Sequence, residues 1–164
     1  MLIRRYTHAD LRAVARLFTD AIHGLAVSHY DEAQRTAWAP RPPDLALWEA
    51  RLKPIKVLVA QEETQEENAG ALLGFIGYEN NGHIDLIFTS PAAARRGIAS
   101  RLLGQAEAAL RALDVQELFT EASLLGRPFF ERQGFTVKEE QHIELRGAQF
   151  RRFAMVKPMG HAKV

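Results

Sequence analysis

The chain has no cysteine among its 164 residues, which excludes disulfides, thiolate metal sites and any covalent mechanism through an enzyme thiol. A surplus of one charge is also missing: 21 Lys and Arg against 20 Asp and Glu leave a formal net charge of +1. Domains that hold nucleic acid by its phosphates normally carry a marked basic excess, so nucleic acid is not an expected partner. No window approaches the roughly 18 uninterrupted apolar residues of a membrane helix. Arg4 and Arg5 are followed by a polar helix, not by an apolar signal core. No membrane partner is expected, and the cytoplasm is the expected compartment. The six histidines lack the paired spacing of a zinc site, so no metal is expected either. What is present is a globular balance of 47% apolar and 25% charged residues, enough for one domain over residues 1–164 with a continuous core.

Residues 2–6 read as a short strand. Thr7 with Asp10 three residues on makes a capping-box signature, and Leu11, Val14, Leu17, Phe18, Ala21, Ile22 and Leu25 then recur on one helical face. Residues 30–38 and 45–52 read as short helices, separated by Pro40, Pro42 and Pro43, which fit inside neither. Residues 56–60 and 71–78 read as the strands of a hairpin, whose acidic tip carries Glu62, Glu63, Glu66 and Glu67 and keeps an edge soluble. A strand over 83–89 ends at Pro91, and a long amphipathic helix covers 98–113. A strand over 116–122, a short helix over 128–132 stopped by Gly134, and strands over 135–145 and 150–156 complete the chain. The order predicts an α/β domain built on a mixed, twisted sheet of about six to seven strands with flanking helices.

The most informative stretch is Ala94, Arg95, Arg96, Gly97, Ile98 and Ala99, a tight turn that runs directly into the long helix. The first N–H groups of a helix have no internal partner and sit at the positive end of its dipole, so the turn is a prepared anion site. Gly97 and Ala99 leave the amides open to close approach, and Arg95 and Arg96 add cationic donors. Downstream lies a second patch: Glu121, Ala122 and Ser123, then Arg127, Pro128, Phe129, Phe130, Glu131, Arg132, Gln133, Gly134 and Phe135.

Together the two stretches resemble the GNAT superfamily of N-acetyltransferases. Its signature is a strand, a turn ending in a glycine-x-glycine-or-alanine step, and a downstream phenylalanine-aromatic-glutamate helix with a glycine-phenylalanine exit. The resemblance covers nearly the whole chain and extends to a bacterial subgroup of small members. It implies that the strands of 85–89 and 116–122 splay apart and hold acetyl-CoA, the co-substrate, in the wedge between them. The pantetheine arm would borrow main-chain hydrogen bonds from Phe88 and Thr89. The pyrophosphate would lie on the amides of Arg96, Gly97, Ile98 and Ala99, with Arg95 or Arg96 adding a guanidinium. Ser123 and Phe130 would border the cofactor from the second patch. Two positions depart from the family pattern: Ala94 stands where a Gln or Arg usually opens the turn, and Phe130 where a tyrosine often serves as general acid.

The implied reaction moves an acetyl group from acetyl-CoA to a primary amine, carried by a small molecule or a peptide, by direct attack in a ternary complex. Asp85 and Glu121 are the candidate general bases, on opposite sides of the wedge, and the sulfur would depart largely as thiolate or be protonated through water, aided by Ser123 or another hydroxyl. A main-chain N–H near Phe88 and Thr89 would stabilise the oxyanion. His29, Tyr30 and Trp38 are candidates for the acceptor wall. Arg146, Arg151 and Arg152 form a late basic cluster. Phe130, unable to give a proton, leaves open a second reading, a non-catalytic acyl-CoA-binding sensor or interaction module with the same fold. A monomer or a homodimer is expected.

Overall fold

In the computed structural model, which describes residues 1–64 and 70–160, β1 (Leu2–Arg5) leads through a single 3-10 turn into α1 (Leu11–Leu25). The corner is held by Asp10. Its carboxylate accepts the Thr7 N–H at 2.8 Å, as the capping-box spacing predicts, and both Nη atoms of Arg4 at 2.8 Å each. Asp10 is therefore 8% exposed yet fully partnered, and the Arg4 guanidinium holds its carboxyl below the usual carboxylate range despite burial. Asp10→Ala should destabilise the protein by about 2 kcal/mol, because it leaves a half-buried guanidinium and an amide unpaired. A lowered urea midpoint with an unchanged slope is the expected reading.

The short helices follow as α2 (Glu32–Trp38) and α3 (Leu45–Leu52). Asp31 caps α2 by accepting the Gln34 N–H at 2.8 Å, so the helix starts two residues later than residue 30 and leaves Tyr30 in the preceding turn. Next come β2 (Lys56–Gln61), β3 (Leu72–Tyr78) and β4 (Ile84–Thr89). A 3-10 turn at Pro91–Ala93 then precedes α4 (Ile98–Ala112). β5 (Glu117–Ser123), α5 (Arg127–Arg132), β6 (Thr136–Leu145) and β7 (Ala148–Pro158) close the order. Of the expected acidic tip, Glu62 and Glu63 are described, while Glu66 and Glu67 lie outside the described residues. Among the described residues no helix is long and apolar enough to cross a membrane.

The seven strands form two antiparallel ladders, β1-β2-β3-β4 and β5-β7-β6, joined by one parallel bridge between His83 and Phe119. One core lies under α4, with Ile98, Leu102, Leu103 and Leu110 packed among Ile76, Leu118 and Phe153. The other lies under α1, with Val14, Phe18 and Ile22 among Val59, Phe75 and Phe150. β4 serves both. Its Ile84 belongs to the α4 core, yet Leu86, two residues on, belongs to the α1 core. The register explains this: Ile84 opposes Tyr78 and Leu86 opposes Gly77, so Asp85 is an extra residue in β4. Such a bulge switches the strand's alternation and re-aims the side chains beside it.

Candidate active site

β4 and β5 start side by side. The Phe119 N–H donates to the Gly82 carbonyl at 3.1 Å, and the Thr120 hydroxyl to the Ile84 carbonyl at 2.8 Å. Beyond that point the strands belong to separate ladders, and a cavity of about 880 Å³ opens between them. On its β4 side the Ser90 N–H donates to the Leu73 carbonyl at 2.8 Å, and the register continues to Phe75 opposite Phe88. Antiparallel hydrogen bonding alternates. The main chain of Phe88 is therefore committed to β3, and the N–H and C=O groups of Ile87 and Thr89 turn toward β5. The pair that meets the gap is Ile87 and Thr89, not Phe88 and Thr89, because a strand shows only every second residue to one edge.

At the wide end of the gap lies the turn into α4. Arg95 and Gly97 both have positive φ, 64° and 75°, a curl that gathers successive N–H groups into an anion-binding concavity. Among the described residues nothing accepts the N–H groups of Arg96 and Gly97. Those of Ile98 and Ala99 open a helix of 15 residues and have no partner within it. A Cβ added at Gly97 would meet no atom within 4 Å, so no side chain is packed over that position, which lines the cavity. The two arginines part company here. Arg95 lines the cavity, whereas Arg96 leans outward to Glu62, Nη1 to Oε2 3.5 Å, on a surface where such pairs contribute little.

At the narrow end sits a charged group of three. The His83 ring stacks on Phe119 at 4.9 Å, with Nδ1 2.7 Å from the Glu79 carboxylate and Nε2 3.0 Å from that of Glu121. Both nitrogens donate only in the imidazolium form. Glu121 first, and Glu79 after it, push the His83 pKa up to about 9 against the opposing effect of burial. His83 in turn holds Glu121 below the ordinary carboxylate range. A raised histidine pKa stabilises the fold fully below its unfolded value of about 6.5, and that stabilisation is lost as pH rises through about 9. The Tm should therefore fall between pH 6 and 9.5 by about 3 °C for each ~1 kcal/mol left after solvent screening. His83→Gln should flatten that slope in thermal melts.

Around the chamber, Asp85 faces Arg51, Oδ1 to Nη2 3.9 Å, and the Arg51 guanidinium lies over the Trp48 ring at 5.6 Å. The Tyr30 hydroxyl accepts the Leu124 N–H at 2.9 Å, and burial pushes its phenol above the ordinary range. The Ser123 hydroxyl oxygen accepts the Gly126 N–H at 3.0 Å, and the same hydroxyl hydrogen-bonds the Tyr30 side chain.

A splayed strand pair with outward amides and an uncapped turn at its mouth matches a known family: the model of the acetyltransferase (GNAT) domain fits residues 27–157. The chain belongs to the GNAT family. It is 35% identical over 153 residues to the uncharacterized N-acetyltransferase YafP of Escherichia coli K12, covering 93% of each chain. The fold superposes with a TM-score of 0.88 on a GCN5-related N-acetyltransferase from Rhodopseudomonas palustris, at 26% identity over 96% of this chain and 95% of that one. It also matches, in fold alone, the PaiA N-acetyltransferase of Thermoplasma acidophilum in complex with coenzyme A. There the TM-score is 0.73 at 19% identity, over 96% and 98% of the two chains.

Within this GNAT acetyltransferase the cavity gathers Asp85 and Thr89 from β4, Glu121 and Ser123 from β5, and Gly97 and Ala99 from the turn. The Ile98 side chain is 3% exposed and packs in the α4 core, so only its N–H faces the site. Phe130 borders the cavity while packing on Phe129 and Phe135 at 5.2 and 5.0 Å. His29 is exposed at the rim, Trp38 is half-buried on the wall, and Tyr30 is buried with its hydroxyl tied to Leu124. Sequence reasoning missed His83, Arg51 and Ile87. Only Ile87 carried a signal, the strand's own alternation. His83 and Arg51 reach their partners across 38 and 34 positions of chain.

Proposed function

We propose that this enzyme is an N-acetyltransferase that moves the acetyl group of acetyl-CoA to a primary amine in a ternary complex. It would work as one domain over residues 1–164, in the cytoplasm, as a monomer or homodimer. The observation that carries the reading is the open wedge, in which the Thr89 amide points between the strands and the uncapped amides around Gly97 stand at its mouth. The pyrophosphate would lie on Arg96, Gly97, Ile98 and Ala99, with Arg95 as the guanidinium within reach. The coenzyme A held by the PaiA protein supports the same choice of ligand.

The amine nitrogen would attack the thioester carbonyl carbon, and the oxyanion that forms would accept the Thr89 N–H. The C–S bond then breaks and the sulfur leaves as thiolate. A primary amine has a reference pKa of about 10.4, so its proton must go to a base, for which Asp85 and Glu121 are the two carboxylates in the chamber. A thiol has a reference pKa of about 8.5, so the leaving group makes a small demand for an acid. Phe130 supplies none, and the Ser123 hydroxyl, which shares a hydrogen bond with Tyr30, is the group we assign to hydrogen-bond the departing sulfur while water supplies its proton. The test pairs calorimetric binding of acetyl-CoA with release of free thiol across a panel of amines. Binding with release for at least one amine is expected. Tight binding with no release for any amine would replace the transferase by the sensor reading.

A further inference from the structure

The acceptor side of the wedge carries both signs of charge, and one of its cations, Arg152, feels Glu121 through space but makes no direct ion pair. Alternation along β7 puts Phe150 and Arg152 on one face and Arg151 and Phe153 on the other, so the late basic cluster is divided. Phe150 meets Tyr30 and Trp38 at 5.8 and 6.2 Å, which identifies its face as the chamber side. Arg152 stands opposite Ser123, and Glu121 lies opposite Ala154, on that face. Arg146 and Arg151 border the cavity as well, but Arg151, on the other face of β7, pairs with Glu140 at 2.5 Å, and Arg146 donates to the Ala37 carbonyl at 2.7 Å.

Arg152 is different. Its Nε donates to the neutral amide oxygen of Gln141 at 2.8 Å, and among the described residues no carboxylate lies within ion-pair distance of it. Arg152 lines the cavity, and among the described residues its two Nη groups, the fork that suits a carboxylate, make no hydrogen bond. Asp85 and Glu121 supply the opposite charge in the same chamber, which Trp38 and Phe88 also line with half-buried rings 6.3 Å apart.

We infer that the acetyl acceptor is a free amino acid with an apolar or aromatic side chain, its carboxylate held by Arg152 and its amino group turned toward Asp85 and Glu121. The side chain lies against Trp38 and Phe88. An amine without the carboxylate leaves the half-buried Arg152 fork without a hydrogen-bonding partner, which is how a site rejects an analogue lacking the expected polar group. The inference rests on the transferase reading for its chemistry, but its recognition is separable from turnover.

The experiment compares free phenylalanine, leucine and methionine with their amides and with the corresponding decarboxylated amines. Thiol release is measured, together with binding of each compound to the protein loaded with coenzyme A. The acids should exceed their amides and amines in kcat/KM by roughly 10- to 100-fold, the range for a lost hydrogen bond to a charged group. Arg152→Ala should erase that ratio without changing acetyl-CoA affinity, and Arg152→Lys should restore part of it. A merely structural role for Arg152 would lower the rates of acid and amide together and leave the ratio intact, which overturns the inference. Amides or simple amines that match the acids overturn it too, as does failure of every acid to bind. Acids that bind selectively without turnover would retain the recognition and remove the transferase reading instead.

Discussion

Gly97→Trp should abolish acetyl-CoA binding, weakening it more than about 100-fold, in a protein that still folds. The position is diagnostic because its surroundings separate site from scaffold. A Cβ at Gly97 meets nothing within 4 Å and Gly97 lines the cavity, so a bulky side chain there is expected to occupy cavity space before it disturbs the core. Gly74 is the contrast: a Cβ there would sit 2.9 Å from the Phe88 carbonyl, and substitution would deform the strand itself. Gly97 does have a φ of 75°, so any side chain carries a backbone cost of roughly 1 to 2 kcal/mol. Gly97→Ala bears the same strain with one methyl group. It should show the same loss in melting temperature but only a modest loss of affinity. Calorimetry on both variants separates strain from blockage, and a folded Trp variant with unchanged affinity would remove the cofactor site from this turn.

The parts of this enzyme that were legible in its sequence are those set by neighbours along the chain. The period of Val14, Phe18 and Ile22 fixed α1, and Gly97 before an amphipathic run marked the turn and the start of α4. Thr7 and Asp10 marked their corner. What stayed hidden was set by pairing. β7 lies between β5 and β6, and this insertion carries Arg152 next to Ser123. No local pattern reveals that choice, since Arg151 and Arg152 read simply as two adjacent cations. The bulge at Asp85 was equally silent. Without it Leu86 and Phe88 would share the face of Ile84, and the α1 side of the wedge would lose its floor. Glu121 was legible as a carboxylate on one strand of the wedge but not as the partner of His83, 38 residues away.

That partnership decides between the two candidate bases. Asp85→Asn should lower kcat by about 100-fold or more, the low end of what a positioned general base contributes, with acetyl-CoA affinity unchanged. Glu121→Gln should cost less, about 10-fold, because the imidazolium beside Glu121 depresses its carboxyl and a carboxylate held low is a poor proton acceptor. The pH profiles should differ in kind. Asparagine at position 85 leaves the bonds of His83 to Glu79 and Glu121 in place, so the profile keeps its shape at a lower level. Glutamine at position 121 removes the charge that raises His83 most, and the imidazole pKa falls from about 9 toward its ordinary value. His83 then becomes neutral within the working range, and the rate of this variant should climb as pH passes its new pKa, while its Tm loses the alkaline decline of the parent. Rates for both variants measured from pH 6 to 10 carry the distinction. Full activity in both at every pH would mean that the proton leaves through water alone, and the two carboxylates would then be electrostatic features of the wedge.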